Sequence, residues 1–208
     1  MTPRKSKPDL SARQVRLDQL RRQQSSQSRR RTMMWVGAVV AALVVVGGGA
    51  SWAVLANRPA QVSLGAVKTY PVSRPGHVTT TVRYPQTPPV GGDHDPTWLN
   101  CGIYSAPVRN ENAVHDLEHG AVWITYQPSL PAAQVKALRE LVGGQTYLTL
   151  SPYPGLPAPV VASAWGVQLR LPNATEKRLQ AFVSKYKQGP QTPEPGAPCT
   201  GGTGSPVK

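Results

Sequence analysis

The chain has 208 residues, with 23 Lys or Arg against 10 Asp or Glu and a formal net charge of +13. This length admits one ordinary domain with extensions, and the composition is neither collagen-like nor uniformly disordered. The charge would point to a polyanion if it were spread over a folded surface, but residues 1–31 hold ten Lys or Arg against only Asp9 and Asp18. That arm lacks the aromatic residues that stack on bases, so nucleic-acid binding is set aside.

Directly after Arg31 comes an uncharged run, Met33 to Ala56, with Trp35 and Trp52 near its ends. About 20 apolar residues match the hydrocarbon thickness of a bilayer, and tryptophans favour its interfaces. The reading is a basic cytoplasmic tail over 1–31 and an uncleaved signal-anchor helix over 32–56, in a single-pass plasma-membrane protein. The positive-inside bias places everything after Arg58 outside, and the arm itself suits anionic lipid. The competing reading is a cleavable secretory signal ending near Val54-Leu55-Ala56, against which the long apolar run and long leader argue.

Residues 57–75 mix Pro, Gly and isolated apolar residues and are expected to be a tether. The outward domain is expected over 76–189. HVTTTVRY, His77 to Tyr84, nearly alternates Thr and Val and predicts a strand. PQTPPVGGDHDPTW, Pro85 to Trp98, has four prolines and predicts a loop that presents Asp93, His94 and Asp95.

Glu111 to His119 predicts a short helix stopped by Gly120, and AVWITY, Ala121 to Tyr126, predicts a strand. Next comes a helix with Ser129 as cap, Pro131 in its first turn and an apolar stripe of Val135, Leu138, Leu141 and Val142. Thr146 to Tyr153 and Val160 to Leu171 predict two more strands, the second with Gly166 as a bulge. Asn173 and Glu176 have capping-box spacing ahead of a helix that buries Leu179, Phe182, Val183 and Tyr186. Its Lys177, Arg178, Lys185 and Lys187 read as a solvated face. Residues 190–208 are rich in Pro and Gly and are expected to be disordered except where Cys199 ties them down.

The resulting class is α+β, with one mixed sheet covered by helices. The last strand, helix, strand, strand, helix run suits a thioredoxin-like or a ferredoxin-like sheet, but no C-x-x-C is present and dithiol redox chemistry is not expected. Cys101 and Cys199 are the two cysteines. In an oxidising compartment they favour a disulfide, with a soft metal ligand at Cys101 or two free thiols as alternatives.

The four histidines of the chain all fall between His77 and His119. In a helix His115 and His119 share a face at i, i+4, and His94 reaches from the loop. With Glu118, and with His77 in support, these imidazoles suit Zn(II) or Cu(II) better than an oxygen-seeking ion. A polar structural network and metal-free acid–base chemistry are the alternatives. The H-x-x-E-H spacing of His115, Glu118 and His119 is also that of inverted zinc peptidases, with Glu118 as base. Against this, the helix stops at Gly120 and no third downstream ligand is evident. Trp98, Trp123, Trp165, Tyr104 and Tyr126 read as packing residues.

The PPVGGDH loop, the W-x-x-C-G-x-Y segment from Trp98 to Tyr104, ENAVHDLEHGAVWITY, SPYPGL, ASAWG and PEPGAPC together resemble the membrane-anchored family known as domain of unknown function 3105. The resemblance runs from His77 to about Cys199. It implies an extracytoplasmic domain behind one span and implies no known reaction. Where the family commonly has a small polar residue, this chain has Asp116.

Overall fold

The computed structural model describes residues 33–37, 39, 62–72 and 75–207. The basic tail over 1–31 and most of the expected span over 32–56 lie outside them. Residues 33–37 and 39 are helical, and among the described residues no helix is long and apolar enough to cross a membrane. Residues from 61 onward form a compact unit.

In chain order its elements are β1 (Lys68–Thr69), β2 (Gly102–Ile103), α1 (Asn110–Glu118), β3 (Val122–Tyr126), α2 (Ala132–Val142), β4 (Leu148–Pro152), β5 (Val160–Ala164), β6 (Val167–Leu171) and α3 (Lys177–Tyr186). They build a six-stranded sheet in the order β1-β6-β5-β3-β4-β2. β3 and β4 are parallel and joined through α2, β2 is parallel to β4, and β5 and β6 are antiparallel to their neighbours. The expected mixed α+β sheet is present. Its parallel pairs do not fit the all-antiparallel ferredoxin-like alternative.

Strand alternation sorts side chains onto two faces. Val122, Ile124, Leu148, Leu150, Val160, Ala162, Leu169 and Leu171 face one side, where Leu138 and Val142 of α2 and Leu179, Phe182 and Val183 of α3 complete an apolar cluster. α2 packs on β4 and β2, and α3 on β6 and β5. Each fully buried large apolar side chain there contributes about 1.5–3 kcal/mol. The opposite face carries Trp123, Thr125, Thr149, Ser151, Ser163 and Gln168, all buried, and α1 packs over β3 on that side. Sheets covered on both faces are the usual setting for parallel strands.

Several expectations are corrected. His77 to Tyr84 is not a strand: it makes a single bridge, His77 with His94. Its backbone groups find separate partners instead, Val78 N–H on the His94 carbonyl at 2.7 Å and Val82 N–H on Glu111 Oε1 at 2.8 Å. The tether expected over 57–75 supplies β1, which pairs with β6. Gly166 is not a bulge; Ala164 pairs with Val167, so Trp165 and Gly166 turn a hairpin, with Gly166 at φ 68°. Neither Ser129 nor the Asn173–Glu176 pair caps its helix through a side chain. Asn173 Oδ1 instead accepts the Thr175 N–H at 3.1 Å.

The C-terminal tail differs most from expectation. Beyond the disulfide it runs beside β2, where Thr203 O accepts from Asn100 N at 2.8 Å, Thr203 N donates to Trp98 O at 2.9 Å and Val207 N to Ile103 O at 2.7 Å. Its composition could not announce this order, because the partners are backbone groups far away in sequence.

Candidate metal centre

α1 is the helix on which the site is built, and its end is fixed locally. The Gly120 N–H bonds to the Leu117 carbonyl and the Ala121 N–H to the Asp116 carbonyl, at 3.1 and 2.9 Å. This is the glycine-dependent Schellman stop, with Gly120 at φ 94°. One face of α1 buries Ala113, Val114 and Leu117 against Trp123, Trp165 and Leu99. From Glu111 on, the rest of the helix is buried as well, so His115, Asp116 and Glu118 must find partners inside the protein.

Each of three histidines has its ring fixed by a backbone carbonyl. Nδ1 of His94 lies 2.8 Å from the Gly92 oxygen, Nδ1 of His115 2.6 Å from the Asp95 oxygen, and Nδ1 of His119 2.6 Å from the Pro198 oxygen. A carbonyl only accepts, so each Nδ1 carries a proton and donates it, and each Nε2 of the neutral ring presents a lone pair. This is the orientation that metal-binding imidazoles adopt when a backbone acceptor holds the distal nitrogen.

The loop supplies its share through geometry that needs glycine. Gly91 is at φ 149°, and a β-carbon there would stand 2.8 Å from Cγ2 of Val72. Gly92 then turns its carbonyl to His94, and Asp95 turns its own to His115 while its carboxylate takes the Arg109 guanidinium at 2.6 Å. Burial pushes the Asp95 carboxyl up, but bonds from the Thr97 amide and Arg109 outweigh it and hold the group below its usual range.

His77, His94, His115 and Glu118 come together, each offering one ligand atom, with those atoms all within 4.8 Å of one another. His77 is exposed and the other three are buried. Nε2 of His94 and Oε2 of Glu118 are 3.0 Å apart, on side chains 0% and 10% exposed. Since Nδ1 of His94 already donates, these two facing atoms are both acceptors unless a proton or a cation lies between them. Burial drives the His115 pKa down to about 4; the Asp95 carbonyl opposes this, and nearby His119, His94 and His77 add to it. A ring kept neutral is a competent ligand.

His119 does not join that four-residue group. Its ring is 4.5 Å from that of His115, centroid to centroid, but its Nε2 faces Glu194 Oε2 at 3.8 Å. The second ring of the i, i+4 pair is thus held between the Pro198 carbonyl at Nδ1 and Glu194 on the Nε2 side. Glu118 faces His94. Asp116 points to the sheet, where Thr149 Oγ1 donates to Oδ2 at 3.1 Å, Oδ1 has no partner, and burial raises its pKa well above the ordinary carboxylate value.

Cys101 and Cys199 form a disulfide with Cα atoms 5.4 Å apart and a sequence separation of 98, which fits an oxidising compartment. Sequence reasoning missed Glu194, which sits in what reads as a Pro-rich tail. It also missed the carbonyls of Gly92, Asp95 and Pro198, because backbone acceptors leave no signature in residue types.

Fold and site together define a small α+β domain, fastened by one disulfide, in which a loop and a buried helix gather imidazoles and a carboxylate. The chain belongs to the family described as "Protein of unknown function (DUF3105)", whose model matches residues 77–201. That span starts at the first residue of the His/Glu group and includes both cysteines. No curated protein and no solved structure matches the chain.

Proposed function

We propose that this is a single-pass membrane protein whose outward domain holds a transition metal, Zn(II) or Cu(II), through His77, His94, His115 and Glu118, in a non-catalytic or accessory role. The observation that carries the reading is the buried contact of His94 Nε2 with Glu118 Oε2 at 3.0 Å, between two atoms that both present lone pairs when the His94 ring is neutral and its Nδ1 is committed to Gly92. A divalent cation resolves that opposition, and three imidazoles with one carboxylate form the nitrogen-rich set these metals prefer. The basic leader, the apolar run of Met33 to Ala56 and a disulfide that persists only under oxidising conditions support the topology.

The metallohydrolase reading, with Glu118 as general base, fares less well. Glu118 belongs to the ligand group and faces His94, so it is not free to take a proton from water. The H-x-x-E-H pattern also requires both histidines on one ion, and His119 stands apart.

Elemental analysis of the full-length protein, purified without chelators, tests the reading. About one Zn or Cu per chain is expected, falling to background in the His94→Ala, His115→Ala double variant. Equal and substoichiometric metal in both proteins removes it and leaves a hydrogen-bonded structural cluster. Topology is tested separately with a C-terminal tag on intact cells; a tag that protease cannot reach contradicts an outward domain.

A further inference from the structure

Resting on that metal-binding reading, we propose that His119 and Glu194 form an outer cation station, flanked by Trp98, from which a divalent transition-metal ion passes to the inner group of His77, His94, His115 and Glu118. His119 is almost completely buried, whereas the Glu194 side chain is 59% exposed, so the pair joins solvent to the interior. Their facing atoms are 3.8 Å apart. This is too long for a hydrogen bond, yet two metal–ligand bonds of about 2 Å span it.

Both partners are held in place. Pro198 accepts from Nδ1 of His119, which leaves Nε2 as the free lone pair, and Pro198 is adjacent to the disulfide at Cys199. The Glu194 N–H donates to the Glu118 carbonyl at 3.1 Å, tying the outer carboxylate's backbone to the inner ligand's residue. From His119 the rings continue 4.5 Å to His115 and 4.8 Å from there to the fully buried His94, while the exposed His77 stacks on His115 from the far side at 5.1 Å, centroid to centroid. The Trp98 ring lies 5.5 Å from His119 and 5.9 Å from His115, centroid to centroid, so one aromatic side chain borders both. An exposed carboxylate at the mouth of such a path raises the local cation concentration and the association rate.

A station on the path, as opposed to a ligand in the final site, has a kinetic signature. Removing it slows loading and unloading by the same factor and leaves equilibrium affinity unchanged. The test is stopped-flow loading of the metal-free full chain with Co(II), read by its ligand-field absorption, and unloading into excess chelator. The proteins compared are wild type, Glu194→Gln, Glu194→Lys and His119→Phe. Both rate constants should fall about tenfold in Glu194→Gln and further in Glu194→Lys, with Kd unchanged.

His119→Phe should behave as Glu194→Gln does. Because it removes a buried group, its fold is checked by circular dichroism, and the exposed Glu194 variants carry the test if it fails to fold. Unchanged rates overturn the proposal. A weakened Kd with an unchanged association rate also overturns it, because His119 or Glu194 would then be an ordinary ligand. Absence of Co(II) binding by wild type overturns the inner site as well, and so is distinct from failure of the station alone.

Discussion

The two faces of the sheet obey the same alternation and do opposite things. On the face covered by α2 and α3, nearly every inward residue is aliphatic and the cluster needs only shape and volume. On the face covered by α1 the same strands bury Thr125, Thr149, Ser151, Ser163 and Gln168. Polar groups placed there are costly unless paired, and most of them are: Trp123 Nε1 donates to Ser151 Oγ at 3.0 Å, Thr125 Oγ1 to the Val161 carbonyl at 3.1 Å and Gln168 Nε2 to the Pro88 carbonyl at 2.9 Å, while Gln168 Oε1 has no partner. The lesson is that one sheet can devote a side to stability and the other to holding a helix and a loop in fixed register. The histidines stand on the second side.

The largest expected effect tests how the tail is tied to that second side. Replacing Cys101 and Cys199 together by Ser opens a loop of 98 residues and should lower unfolding free energy by about 4–5 kcal/mol in the chain-entropy description. Denaturant unfolding with and without reductant measures it. A variant as stable as the oxidised wild type would show that the backbone bonds of residues 199–207 suffice to hold the tail.

A paired substitution then contrasts the faces directly. Phe182→Ala on the aliphatic side should cost about 3–5 kcal/mol through a cavity and leave the bound metal per folded chain unchanged. Ser151→Ala on the polar side leaves Trp123 Nε1 buried without its acceptor and should cost about 1–3 kcal/mol. Unfolding midpoints and metal content of the two variants decide it; metal loss in Phe182→Ala would mean that the faces are not separable.

The smallest effects are in pH dependence, measured on metal-free protein. The unfolded chain protonates His115 near 6.5 while the folded chain resists until about 4, so this ring's contribution is lost as pH falls through that window. Wild type should therefore lose stability more steeply than His115→Gln between pH 6.5 and 4. Asp116 acts with the opposite sign. Burial holds its carboxyl protonated in the fold well above 3.8, so the unfolded state gains by ionising as pH rises and stability falls. Asp116→Asn should be the more stable protein at pH 8, with the difference vanishing below pH 3.8. Parallel pH curves for the variants and wild type would contradict both assignments.

Much of the fold was legible, and for a local reason. α1, β3, α2, β4 and α3 lie close to where periodicity and punctuation by Gly120, Gly143 and Gly144 place them. Failures occurred where pairing is long-range. Thr79 to Tyr84 alternates like a strand but has no strand beside it, while Lys68–Thr69 does not look like one and pairs with β6. At the site, residue types drew attention to His94, His115, His119 and Glu118, yet nothing in spacing could separate His119 from the group or bring in Glu194.

The chain's own order of residues determined that a basic leader and an apolar run precede an α+β domain with its histidines clustered in one stretch, because composition and period are local properties. Tertiary structure alone decided which imidazoles face one another. Three of the rings, His94, His115 and His119, are aimed by carbonyls from Gly92 two residues away, Asp95 twenty and Pro198 seventy-nine, and the direction of a backbone oxygen exists only once the chain has closed around it.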